Sequence, residues 1–237
     1  MKLIFATNNR HKLEEVSAVL GEGYELLTPA DFGITEDIPE TCDTLEGNAL
    51  QKARYVFDRV AADGRFAVFA DDTGLEVAAL GGAPGVRSAR YAADAGEGSR
   101  PDGGGTFDDN NRLLLRNLEG AADRSARFRT VIALILRGDS GRPEEYLFEG
   151  RVEGRIIDEY RGSGGFGYDP VFVPEVPGMP EMPDEGDEGD ERNGGRGDET
   201  RCDAETFAEM SAERKNAISH RGRAVERLAN FLKNNIV

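Results

Sequence analysis

Apolar and polar positions alternate along the chain in segments that read as strands and helices. Lys2 to Ala6 is a short apolar run that predicts a strand, and the polar turn Thr7-Asn8-Asn9-Arg10-His11-Lys12 follows it. Leu13, Val16 and Leu20 then recur at the three- and four-residue spacing of a helix face. Tyr24 to Leu27 predicts a second strand and Pro29 to Glu36 a loop. Ala49, Ala53, Val56, Phe57 and Val60 mark the core face of a helix from Glu46 to Ala62, stopped at Gly64. On that helix Asn48 and Lys52 lie four apart and read as a solvated polar stripe. Phe66 to Ala70 reads as a buried strand and Arg127 to Leu136 as a central, β-branched one, with Tyr146 to Val152 pairing to it across the Gly138 to Pro143 turn. Arg155 to Asp158 and Val171 to Val173 add short strands. Asp108 or Asp109 caps a helix to about Leu118, and Val225, Leu228 and Leu232 form the buried face of the last helix.

Two stretches break the pattern. Ala93 to Phe107 is glycine-rich and polar and reads as a mobile loop. Residues 174–203, PEVPGMPEMPDEGDEGDERNGGRGDETRCD, are almost all proline, glycine and charge, too poor in apolar area to offset the entropy of ordering, and read as a disordered acidic surface insertion.

Composition narrows the function classes. Asp and Glu number 45 against 29 Lys and Arg, a formal net charge of -16, and such a surface repels DNA and RNA polymers. Lysine occurs only at positions 2, 12, 52, 215 and 233. An acidic, lysine-poor surface suits high salt, where like-charge repulsion is screened. Cys42 and Cys202 have no second ligand at metal spacing, so a reduced, cytoplasmic protein is expected. The apolar run at the start is too short for a signal peptide, and no membrane span is expected.

Candidate chemistry gathers in four places. Asp71, Asp72 and Thr73 follow the apolar run to Ala70. They form either an acidic turn capped by Gly74 or, if the strand continues, carboxylates on opposite faces, one toward a substrate and one into the scaffold. The Thr7 to Lys12 turn before a helix is either ordinary capping by Thr7 or Asn8 or an anion site with Lys12 on a phosphate. Ser163 to Pro170 is a glycine-rich loop in which Phe166 or Tyr168 offers a flat surface for a base. Lys215, His220 and Arg221 make a cationic patch on an acidic chain. The Gly81 to Gly85 turn has no GKS or GKT and is not a P-loop, while the acids of Glu36 to Thr41 offer a hard-cation ligand.

ATNNRHK at 6–12, ADDTGLEVAALGGAPGVRSARY at 70–91, GGFGYDPVF at 164–172 and TFAEMSAERKNAISHRG at 206–222 together resemble the Ham1-like family, which includes the RdgB and inosine triphosphate pyrophosphatase enzymes. The resemblance runs from Lys2 to about Leu232 and implies one α/β domain with a long mixed sheet flanked by helices, two lobes with a central cleft, Mg²⁺ dependence and a homodimer. It implies hydrolysis of non-canonical purine triphosphates such as ITP, dITP and XTP to the monophosphate and pyrophosphate. By matching position, Asp72 resembles the catalytic, metal-binding carboxylate, Glu40 a second metal ligand, and Thr7, Asn8, Asn9, Arg10, His11 and Lys12 the triphosphate turn. Thr73 resembles a substrate contact, Phe166, Gly167, Tyr168 and Asp169 the base loop, and Lys215, His220 and Arg221 the remaining substrate contacts. The part played by Asp71 is left open. Competing readings are a non-catalytic nucleotide-binding regulator and the related Maf-like pyrophosphatases, which act on other bases; the GGFGYDP and SHRG motifs favour the Ham1-like side.

Overall fold

The computed structural model describes residues 2–21, 23–60, 66–101, 104–138, 140–175 and 204–235. Most of the acidic insertion, Gly64 and Cys202 therefore lie outside the described residues. Pro174, expected to open the insertion, instead ends a strand and pairs with Gly154.

A mixed sheet in the order β2-β1-β3-β5-β6-β7 carries the fold. Strands β1 (Lys2–Phe5), β2 (Glu25–Leu27) and β3 (Ala67–Val77) are parallel. β3 then pairs antiparallel with the short β4 (Pro84–Gly85) on one side and with β5 (Ser125–Arg137) on the other. β6 (Pro143–Ile156) and β7 (Phe172–Pro174) extend the antiparallel half. The two segments expected as separate strands at 146–152 and 155–158 are one strand, because β6 follows β5 without a break from Pro143 to Arg155.

Strand alternation sorts the side chains into two layers. Ile4, Val68, Ala70, Val131 and Ala133 face helix α2 (Leu45–Val60), whose Ala49, Ala53, Val56 and Phe57 pack on them. Leu3, Phe5, Phe69, Ile132 and Leu134 face helices α1 (Arg10–Leu20) and α6 (His220–Asn235), through Val16, Leu20, Val225, Leu228 and Leu232. A third core gathers at the far end of the long strands, where Leu75, Phe128, Val152, Tyr168, Phe172 and Phe207 enclose Leu114 of α4 (Phe107–Asn117) and Leu118, which caps it. The third core stands apart from the first two, along β3, β5 and β6.

Two smaller elements depart from expectation. Helix α4 is capped by Thr106, whose hydroxyl accepts from Asp109 N while the Asp109 carboxylate accepts from Thr106 N, so Asp109 is the third helical residue of a reciprocal cap. The polar stretch from Ala93 begins within a short helix, α3 (Tyr91–Asp94). Helix α5 (Ala212–Ile218) leads through Ser219 into α6. At Gly150 the sheet and α6 touch: a Cβ there would overlap the His220 carbonyl and lie 2.6 Å from Ala224 N. Glycine lets the start of α6 lie on the sheet.

Candidate active site

The cleft opens where β3 loses a neighbour. On its β1 side β3 pairs at Ala67–Phe69 with β1 and at Leu75–Glu76 with β4. Between those ladders residues 70–74 have no strand partner on that side among the described residues, while β5 supports them throughout on the other. A cavity of about 380 Å³ forms there. Asp71 and Asp72 are therefore interior strand residues and not a turn, and Gly74 caps nothing: its Cβ position lies 2.6 Å from the Gly85 carbonyl oxygen, so glycine permits the β3–β4 approach.

The alternation of β3 gives the two aspartates different surroundings. Asp72 lines the cavity, accepting from Lys52 Nζ at 3.0 Å and Asn48 Nδ2 at 3.2 Å. Burial raises its pKa, and Lys52 only partly offsets this. Asp71, 1% exposed, points to the α1–α6 layer and accepts from Lys12 Nζ at 3.0 Å, Arg221 Nε at 3.1 Å and Thr73 Oγ1 at 3.3 Å. Burial alone would raise the Asp71 pKa, but Lys12 and Arg221 hold it well below the usual carboxylate range.

Lys52 and Asn48 are not a solvated stripe. Both are buried, and the Lys52 ammonium bridges Asp72 and Glu40. Burial opposes its charge, yet the Asp72 and Glu40 carboxylates prevail and raise its pKa. Helical spacing correctly made Asn48 and Lys52 neighbours, but only the packing of α2 under β3 shows that their face is turned inward.

The turn after β1 is built by local capping. Asn9, in place of Thr7 or Asn8, caps α1: its Oδ1 accepts from His11 N at 3.0 Å and Lys12 N at 3.2 Å, and Thr7 Oγ1 accepts from Asn9 N at 3.1 Å. Two of the amides expected to hold phosphate are thus already satisfied. Thr7, Asn8, Asn9 and Lys12 line the cavity. Arg10 and His11 do not; Arg10 pairs with Glu14 on the surface, and the His11 ring stacks on Phe166 at 5.3 Å.

At the other wall Phe166 is half-buried and Tyr168 is buried in the third core, with its hydroxyl donating to the Ser88 carbonyl at 2.9 Å. Phe166 is therefore the available aromatic face, with Lys215 Nζ 5.1 Å and Arg221 Cζ 5.5 Å from its ring centre. The Asp169 carboxylate accepts from Lys215 Nζ and Phe166 N, both at 2.7 Å. Burial raises the Asp169 pKa despite Lys215.

Lys215, His220 and Arg221 come together, but as buried groups and not as an exposed patch. Glu15, absent from the expected set, accepts from both Lys215 and Arg221; it lies three residues after Lys12 on α1, a spacing that marks the same helix face. The His220 ring stacks on Phe128 at 4.6 Å, and burial, with Arg221 and Lys215 adding to it, drives its pKa well below 6.5. Its Nδ1 is buried with no hydrogen-bond partner among the described residues. Glu40 and Thr73 also line the cavity.

The ion pairs around the cleft join four cations, Lys12, Lys52, Lys215 and Arg221, to five carboxylates, Glu15, Glu40, Asp71, Asp72 and Asp169. Each cation is already matched. A polyanion entering this site needs further positive charge.

The model of the Ham1 family matches residues 3–192 and 198–231. The chain belongs to the Ham1 family. Among its relatives, proteins named dITP/XTP pyrophosphatase from Porphyromonas gingivalis and Flavobacterium johnsoniae are 47% and 42% identical over 232 residues, covering 98% of this chain and 97% and 98% of theirs. A Ham1 protein from Coxiella burnetii shares the fold with a TM-score of 0.73 at 33% identity, over 99% of both chains. The dITP/XTP pyrophosphatase of Mycobacterium abscessus superposes with a TM-score of 0.63 at 36% identity, over 96% of this chain and 98% of that one. The Ham1 fold thus agrees with the long mixed sheet expected of this sequence. Among the described residues no helix is long and apolar enough to cross a membrane, and no three His, Cys, Asp or Glu side chains form a ready cage for a metal.

Proposed function

We propose that this Ham1 protein is a nucleoside triphosphate pyrophosphatase that hydrolyses ITP, dITP and XTP to the monophosphate and pyrophosphate, removing non-canonical purines from the nucleotide pool. The observation that carries this reading is one cleft in which Asp72, bridged by Lys52 to Glu40, shares walls with Lys12 and with Phe166, Lys215, His220 and Arg221. Full-length similarity to proteins named dITP/XTP pyrophosphatase supports it.

In this mechanism Lys12 and Lys52 meet the phosphates and Phe166 meets the purine face. The oxygen of a water bonds to the α-phosphorus as the bond to the bridging α–β oxygen breaks, and pyrophosphate leaves. Asp72 orients that water and accepts its proton, a role suited to a carboxylate whose pKa is raised by burial. His220, neutral and buried, lines the cleft beside Arg221 without adding charge to it.

The donor set fits Mg²⁺. Glu40 and Asp72 are two hard carboxylates sharing one ammonium, and Mg²⁺ is ordinarily held by one or two carboxylates with phosphate and water completing its shell. The excess of carboxylates over cations around the cleft gives the same answer from charge. Glu40 and Asp72 would hold the ion, which supplies charge stabilisation on the phosphate oxygens. Assembly as a cytoplasmic homodimer follows from the family reading.

Measuring pyrophosphate release from ITP, dITP, XTP, GTP and ATP, with and without Mg²⁺, tests the reading. Rapid release from the first three, lost on chelation, is the expected result. Binding without release would make the protein a regulator, and preference for ATP or a pyrimidine would overturn the substrate assignment.

A further inference from the structure

The base-facing loop is held from behind by a side chain outside the cleft. Asn111, on α4, is 2% exposed, and its Nδ2 donates to the Gly167 carbonyl at 2.8 Å. In a trans peptide the carbonyl and the following N–H point in opposite directions. Fixing the Gly167 carbonyl toward α4 therefore turns the Tyr168 N–H away from α4. Gly167 and Tyr168 line the cleft, whereas Asn111 does not. Among the described residues neither the Gly167 N–H nor the Tyr168 N–H finds an acceptor. Gly167 has φ +66° and Tyr168 φ −92°, ψ 8°, and such successive left- and right-handed residues form a concave pair of donors.

The other ties on this loop act elsewhere. The Tyr168 hydroxyl on Ser88 anchors a side chain, and the Asp169 carboxylate holds the Phe166 N–H at 2.7 Å. Among the described residues only the Asn111 amide sets the plane of the Gly167–Tyr168 peptide. Among the described residues its own Oδ1 is buried and unpaired, so there the bond to Gly167 orients the amide.

We propose that Asn111 is a positioning residue for base selection, orienting the Gly167–Tyr168 peptide so that its N–H faces the 6-oxo group of hypoxanthine or xanthine. A 6-amino purine brings a donor to the same place, and donor against donor is rejected. This rests on the pyrophosphatase reading above.

Wild-type release of pyrophosphate from ITP is measured first; its absence would sink the pyrophosphatase reading and the base-selection role with it, whereas the variants test the role of Asn111 by itself. Then kcat and KM for ITP and ATP are determined for Asn111→Leu and Asn111→Asp, together with melting curves. The expected result is a higher KM for ITP and a fall of about tenfold in the ITP-to-ATP ratio of kcat/KM, the worth of one hydrogen bond. A ratio within about twofold of wild type, whatever happens to the Tm, overturns the proposal, because a purely structural role lowers both substrates alike. If neither variant folds, Gly167→Ala reads the same peptide: its Cβ meets open space, so only the backbone preference changes. A fall in the ratio supports the proposal, and an unchanged ratio refutes it.

Discussion

Neutralising each of the adjacent aspartates of β3 in turn should separate folding from chemistry. In Asp71→Asn the half-buried Lys12 ammonium and the buried Arg221 guanidinium lose the carboxylate between them. Removing one partner of a buried ion pair costs about 3–5 kcal/mol. For a chain of this length that lowers Tm by roughly 6–20 °C. In Asp72→Asn, Lys52 keeps Glu40, and the group removed is one whose charge burial already disfavours, so the loss of stability should stay within about 1 kcal/mol. Turnover should behave in the opposite sense, falling about 10²–10⁴-fold in Asp72→Asn, the range of a lost general base. Urea titration at pH 7 followed by pyrophosphate release from ITP reads both quantities. The Asp71 pKa is depressed on folding, so its stabilisation is complete above the ordinary carboxylate value of 3.8 and lost as pH falls through the lower folded value. The urea midpoints of wild type and Asp71→Asn should therefore stay apart at pH 7 and converge only in strong acid. An Asp71→Asn variant as stable as wild type, or an Asp72→Asn variant that turns over normally, would refute the division of roles.

Because burial raises the Asp72 pKa, the acid limb of kcat/KM against pH should lie above 3.8 in wild type; a limb at the ordinary value counts against Asp72 as the base. The buried, neutral His220 takes no proton near pH 6.5, whereas the unfolded chain does, so stability should fall as pH drops below about 6.5 at up to about 1.4 kcal/mol per unit. His220→Phe should flatten that slope between pH 5 and 7 in urea titrations, and an unchanged slope would contradict a neutral His220. Gly150→Ala drives a methyl into the first turn of α6, and a loss of about 1–3 kcal/mol is expected by thermal or urea melts; a neutral substitution would mean that α6 does not rest on Gly150. If the acidic, lysine-poor surface is an adaptation to salt, Tm should rise along a KCl series, and a flat series would remove that reading.

Much of this protein was legible in the linear order of its residues. Apolar spacing located α1, α2, α4, α6 and most of the strands, since an amphipathic period is local and needs no partner to be seen. The four motifs pointed to Asp72, Lys12, Phe166, Lys215, His220 and Arg221, and the family resemblance to Glu40, and all of these line the same cleft. What failed was whatever depended on the far side of a contact. Lys52 and Asn48 look solvated until α2 is laid beneath β3, and Arg10 looks functional until it turns out to Glu14. Glu15 gains its role only when α1 meets α5 and α6, more than two hundred residues away in Arg221. Asn111 has no signal at all, because its partner is a backbone carbonyl.

Sequence by itself therefore determined which segments are strands and helices and which side chain types are candidates for the chemistry, because periodicity and residue type are properties of the chain alone. Tertiary structure decided the electrostatics. It continued β3 through both aspartates, sending Asp72 to the cleft and Asp71 between the cations of Lys12 and Arg221, and it set the direction in which each pKa moves. Burial and proximity act through space, and two neighbours in sequence can meet opposite fields on opposite faces of one strand.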